Sequence, residues 1–119
     1  MTQFHIYSGE QLIGRSELEF GDPPMGVAYG KFTSTPAYAS IQFQVVSLTG
    51  KDQACLHLSA RLPNGEAIEA VGGVCIADYS VEAGEDGLEV SVLGISYPAY
   101  EHLFPHHVAA YKRQFPAPG

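Results

Sequence analysis

The residues whose types and spacing could do chemistry cluster near the end of the chain, in the run Glu101-His102-Leu103-Phe104-Pro105-His106-His107. His102 and His106 stand four apart, the spacing that sets two imidazoles on one helix face. Neutral imidazole is a good ligand for zinc, nickel or copper. His102, His106 and His107 are therefore a metal-site candidate. Two features weigh against it: Pro105 falls inside the pair and breaks a helix there, and no His-Glu-x-x-His order supplies a metalloprotease base. A surface helix start, or packing against aromatic neighbours, accounts for the three histidines more simply.

Asp22 is the second candidate. It precedes Pro23-Pro24, and a carboxylate on so rigid a loop could act as acid or base once desolvated. The commoner role at such a position is to cap its own turn by accepting backbone N–H groups. Tyrosine is frequent, with seven residues and no Trp. Tyr29, Tyr38, Tyr97 and Tyr100 gather around two Pro-Ala-Tyr segments and offer apolar faces with one polar handle each, suited to a ligand pocket, a subunit interface or a sheet edge. The acidic group Asp78, Glu82, Glu85, Asp86 and Glu89 lacks the residue order of a calcium loop and reads as a solvated segment. No nucleophile elbow, phosphate cradle or dinucleotide fingerprint is present, so no cofactor is expected and no catalytic set is complete.

Cys55 and Cys75 each lie among apolar neighbours, with no Cys-x-x-Cys spacing. They read as buried reduced thiols, small hydrophobes rather than a bridge. The first ten residues carry neither a basic start nor an apolar stretch, so a secretory signal is not expected and the cytoplasm is the expected compartment. Six basic against thirteen acidic side chains give a net charge of −7, which disfavours nucleic acid, since duplex affinity rests on Lys and Arg. No apolar run is long enough to span a bilayer, so no membrane partner is expected.

These side chains must be positioned by a chain of 119 residues, the size of one ordinary domain with its own core. Residues 1–119 are read as a single domain. Period-2 alternation predicts antiparallel strands over residues 4–8, 11–20, 27–33, 54–62, 67–79 and 88–96, with Gly14 marking a bulge in the second and Gly72-Gly73 a bulge or close backbone approach in the fifth. Asn64-Gly65 predicts a hairpin turn. Thr35-Pro36 and Tyr97-Pro98 start short helices, and Pro105 starts another running to about residue 114. Alternation over residues 41–45 leaves a strand there as an alternative. Residues 80–87 read as a polar loop and residues 116–119 as a frayed tail. The fold class is α+β, with about six strands and two or three short helices.

Pro36-Ala37-Tyr38 recurs as Pro98-Ala99-Tyr100, and Ser8-Gly9-Glu10 is echoed by Asn64-Gly65-Glu66. Residues 4–48 and 54–114 thus form a candidate pair of repeated β-β-β-α units. Three functional classes follow. The first is a non-catalytic binding or assembly domain forming a homodimer or other homo-oligomer. The second is a small-molecule binder or enzyme whose pocket lies between sheet and helices, with Tyr29, Tyr38, Tyr97 and Tyr100 as lining and Asp22 or a histidine as the polar group. The third is the metal site on His102, His106 and His107.

Overall fold

The computed structural model describes residues 2–115. The fold is α+β: eight strands in two four-stranded antiparallel sheets, with four short helices. The first sheet contains β1 (Phe4–Ser8), β2 (Gln11–Ser16), β5 (Thr33–Ser34) and β6 (Leu58–Arg61), ordered β5-β2-β1-β6. The second contains β3 (Phe20–Asp22), β4 (Val27–Lys31), β7 (Gly73–Asp78) and β8 (Leu88–Leu93), ordered β3-β4-β8-β7. Alternation sets the inner faces: Phe4 and Ile6 on β1, Ala28 on β4, and Leu88, Val90 and Val92 on β8 are buried, and the two sheets share one core.

Residues 4–48 give the hairpin β1–β2 to the first sheet and the hairpin β3–β4 to the second. Residues 54–114 give β6 to the first sheet and the hairpin β7–β8 to the second. The halves meet where β1 pairs with β6 and where β4 pairs with β8.

Several strands are shorter than the pattern predicts, because the chain changes sheet in mid-run. The expected strand over residues 11–20 divides at Leu18, a buried residue with φ +46°, whose N–H is accepted by the Ser16 hydroxyl. The strand after Val27 ends at Lys31, and Thr33 and Ser34 cross back to pair with β2. At that crossing the Phe32 ring lies where a side chain on Gly14 would go, so the glycine is needed for packing, while the bulge falls one residue earlier at Ile13. Residues 54–56 form a 3-10 turn closed by His57 at φ +49° rather than the start of a strand, and Cys55 on it is exposed, not buried. Of the return strand expected over residues 67–79, only the Arg61–Ala67 bridge and β7 exist, in different sheets. Gly72 there lies against Leu93.

The first Pro-Ala-Tyr segment is a 3-10 turn, Pro36–Ser40, leading into α1 (Gln42–Leu48), so residues 41–45 are helical and not a strand. Thr35 gives its hydroxyl to the Leu12 carbonyl instead of capping that turn. The polar loop after Asp78 contains α2 (Ser80–Ala83) and a 3-10 turn. The second Pro-Ala-Tyr segment leads into α3 (Ala99–Leu103), and α4 (Pro105–Gln114) follows, with Pro105 in its first turn and Lys112 and Arg113 in its last, where they complement the helix dipole. Residues 116–119 lie outside the described residues. No helix among the described residues is long and apolar enough to cross a membrane.

Candidate functional site

Both outer strands of the second sheet carry a helix: α1 packs on β7 and α4 packs on β3. Between β3, β4 and α4 lies a groove of about 600 Å³ whose lining includes Glu19, Asp22, Tyr29, His107, Tyr111 and Phe115. That volume falls in the range of small-molecule sites.

The floor is built by close approach. Gly21 on β3 has no side chain because the Tyr100 hydroxyl and the His107 ring occupy that space. Tyr100 is fully buried, and its hydroxyl donates to the Val27 carbonyl at 2.8 Å. Burial, with Tyr97 and Asp22 nearby, pushes the Tyr100 hydroxyl well above the ordinary tyrosine range, so it remains a donor. The His107 Nε2–H donates to the Leu18 carbonyl at 2.8 Å, which fixes the tautomer and leaves Nδ1 unprotonated. The His107 ring stacks on Phe104 at 5.1 Å between centroids. Burial lowers the His107 pKa, His106 adds to the fall, and the Leu18 hydrogen bond partly opposes it.

The walls are aromatic. Phe20 packs on Tyr29 with centroids 5.5 Å apart, and Tyr111 packs on Phe115 at 4.9 Å. Phe20 and Phe115 are more than half exposed, unusual for rings that large. Asp22 is exposed at the end of β3 and makes no capping hydrogen bond, contrary to the role expected for it before two prolines. The Glu19 carboxylate lies over Gly30: Oε2 accepts the Lys31 N–H at 3.2 Å, while Oε1 is buried with no hydrogen-bond partner among the described residues.

The structure brings some of the predicted residues together and separates others. Asp22 and Tyr29 share the groove with His107. Tyr97 is outside the lining and directs its hydroxyl to the carbonyl of the lining residue Pro23 at 3.3 Å, and Tyr100 lies beneath the floor. Tyr38 is elsewhere, buried against Phe32 and Asp78 at the β7 margin. His102 belongs to α3 and lies outside the groove, beside Leu62 and Ile68 on one side and, with His106, beside Glu17 on the other. His106 touches the His107 ring, but His107 has given its Nε2–H to Leu18, and no group of three His, Cys, Asp or Glu able to hold a metal exists among the described residues. Cys55 and Cys75 are free thiols; burial and the Glu89 charge push Cys75 up, partly offset by a hydrogen bond from Ser91.

Sequence reasoning missed Glu19, Phe20, Tyr111 and Phe115 as groove residues, and it assigned Asp78 to a solvated loop. The alternation of Glu17 and Glu19 with Leu18 and Phe20 is visible, but the corner at Leu18 places Phe20 on the exposed side. Asp78 is buried, accepting from the Tyr38 hydroxyl at 2.6 Å and from the Ser80 hydroxyl and N–H at 2.5 and 2.9 Å. Comparison with known proteins finds no matching family model, no matching curated protein and no matching solved structure.

Proposed function

We propose that the protein is a small-molecule-binding protein and that its site is the groove between β3, β4 and α4. The observation that carries this reading is the composition of that groove: exposed aromatic rings on both walls, a buried histidine of fixed tautomer in the floor, and Asp22 with no side-chain hydrogen bond among the described residues. A concave surface that sets a few polar groups among aromatic rings is a common form of ligand site. The reading covers binding and assigns no catalytic role.

Ala110 is an exposed groove residue on α4, so Ala110→Trp fills the space from a position that tolerates substitution. The expected result is a ligand that raises the melting temperature of the wild type and not that of Ala110→Trp. A ligand at one hundred times its Kd adds about 2.7 kcal/mol of stability. If every stabilising compound acts equally on both proteins, the groove is not the site.

A second reading, a homodimer, draws on α1 at the other end of the sheet. Phe43 and Val46 are one turn apart there, exposed by 85% and 38%. An apolar pair of this kind favours burial against a second copy. Sedimentation of the wild type and of Phe43→Glu tests it: a wild-type monomer, or an unaltered dimer in the variant, removes this surface from consideration.

A further inference from the structure

Taking the groove as the binding site, we infer that its ligand is an organic cation of the alkylated-ammonium class, held by the ring faces of Phe20, Tyr29, Tyr111 and Phe115 under the field of Glu19 and Asp22. This deepens the reading above and rests on it.

The charges come first. The groove is lined by two carboxylates and by no Lys or Arg. Its one basic side chain, His107, is held neutral by burial, so it does not cancel them. Lys31, two residues from Tyr29, turns toward Asp86 at 3.4 Å, and Lys112 and Arg113, beside Tyr111 on α4, are exposed and outside the lining. The Glu19 carboxylate receives a single backbone hydrogen bond, at Oε2, and Oε1 has none. Because Oε1 is buried, Glu19 acts through its charge and not by contact, whereas exposed Asp22 is free to pair directly. An anionic ligand meets repulsion from both.

The walls then select among cations. A strongly hydrated ion would have to surrender water to ring faces that cannot replace it. A methylated or alkylated ammonium is weakly hydrated, presents apolar surface, and is attracted to the negative face of an aromatic ring when within about 6 Å of its centroid. Four rings in two tilted pairs flank the groove, and its volume of about 600 Å³ accommodates a cation with an attached organic body.

The test uses three soluble probes of nearly equal shape: choline, its uncharged carbon isostere 3,3-dimethylbutan-1-ol, and the anion 3,3-dimethylbutanoate. Each is titrated into the whole chain while NMR follows the ring signals of Tyr29 and Tyr111. Choline is expected to shift both tyrosines and to bind about tenfold more tightly than the alcohol, with the anion weakest. Asp22→Asn is expected to weaken choline several-fold and leave the alcohol unchanged, and added salt to weaken only choline. Binding of the alcohol or the anion as tightly as choline overturns the assignment of charge while leaving the groove a binding site. Failure of all three to move either tyrosine overturns both.

Discussion

At the β7 margin of the second sheet, α1 and the residues after it deliver Gln42, Thr49 and Gln53; at the β3 margin, α4 delivers His107, Tyr111 and Phe115. Gln53 behaves as one more strand residue. Its carboxamide oxygen accepts the Ile76 N–H at 2.8 Å, and its nitrogen donates to the Ile76 and Leu48 carbonyls at 2.7 and 3.1 Å. Asp78 collects Tyr38, Gln42 and Ser80, and its own N–H donates to Thr49. At the opposite margin the bonds among the described residues run instead from His107 to the Leu18 carbonyl, from Tyr100 to the Val27 carbonyl and from the Lys31 N–H to Glu19, and none reaches Asp22. There the carboxylate at the strand end stays exposed, and rings face solvent. A groove of similar size, about 590 Å³, also lies beside β7, lined by residues that include Leu58, Val74, Cys75, Tyr79 and Leu93, but it carries Lys51 next to Asp52. The comparison teaches that a polar margin satisfied internally serves stability, and a polar margin left unsatisfied is available for recognition.

The sharpest way to break this contrast is a pair of substitutions. Asp78→Ala leaves three side-chain donors without their acceptor, and urea unfolding should show a loss of about 2–3 kcal/mol. Asp22→Ala, at the corresponding end of β3, should change stability by less than about 0.5 kcal/mol. Equal costs would erase the distinction between the margins. Gln53→Ala comes next, at about 2 kcal/mol, because Ile76 loses partners for both backbone groups.

The two Pro-Ala-Tyr hydroxyls supply a finer comparison. Tyr38→Phe removes a donor to a buried carboxylate and should cost about 1.5–3 kcal/mol; Tyr100→Phe removes a donor to a neutral carbonyl and should cost about 1 kcal/mol. Calorimetry of the two variants decides the order, and a larger loss for Tyr100→Phe would reverse it.

Acid should separate the margins as well. Burial pushes the Asp78 carboxyl up, yet hydrogen bonds from the Ser80 hydroxyl, Tyr38, the Ser80 N–H and Gln42 outweigh it, and the folded pKa lies below the ordinary carboxylate value. Its stabilisation is present above about pH 4 and is lost as pH falls through the lowered pKa. His107 is also lowered. The unfolded chain therefore binds its proton first, and stability declines as pH drops from about 6.5 toward the folded value. His107→Gln should flatten denaturant midpoints as pH falls below about 6.5, and Asp78→Asn only those below about pH 4. A slope near neutrality that survives in His107→Gln would mean that another group carries it.

Alternation made the strands legible, because a half-buried ribbon must present every second side chain to the core. It identified β1 and β8 closely, and the helix-starting proline at 105 located α4 to its last residue. The corners were illegible. A leucine at φ +46° carries no glycine to announce it, and crossing between sheets leaves the period intact on either side. The strand count rose from about six to eight for that reason. At the site, Asp22 and Tyr29 were visible as a carboxylate and a ring near a rigid turn. Phe20, Tyr111 and Phe115 were not, because whether an aromatic faces the core or solvent depends on a partner strand far away in the chain. Asp78 and Asp22 look alike in sequence, and only the tyrosine reaching over from the other half tells them apart.

The outer strands of both sheets are brief or already occupied. β5 contributes two residues and β3 three, Ile68 donates to Ala60 alongside β6, and Gln53 and Thr49 sit on the free side of β7. A neighbouring molecule seeking backbone rungs to extend therefore finds almost none, so strand addition and fibrillar stacking are disfavoured by architecture. Any contact with another molecule is thereby left to side-chain faces such as that of Phe43.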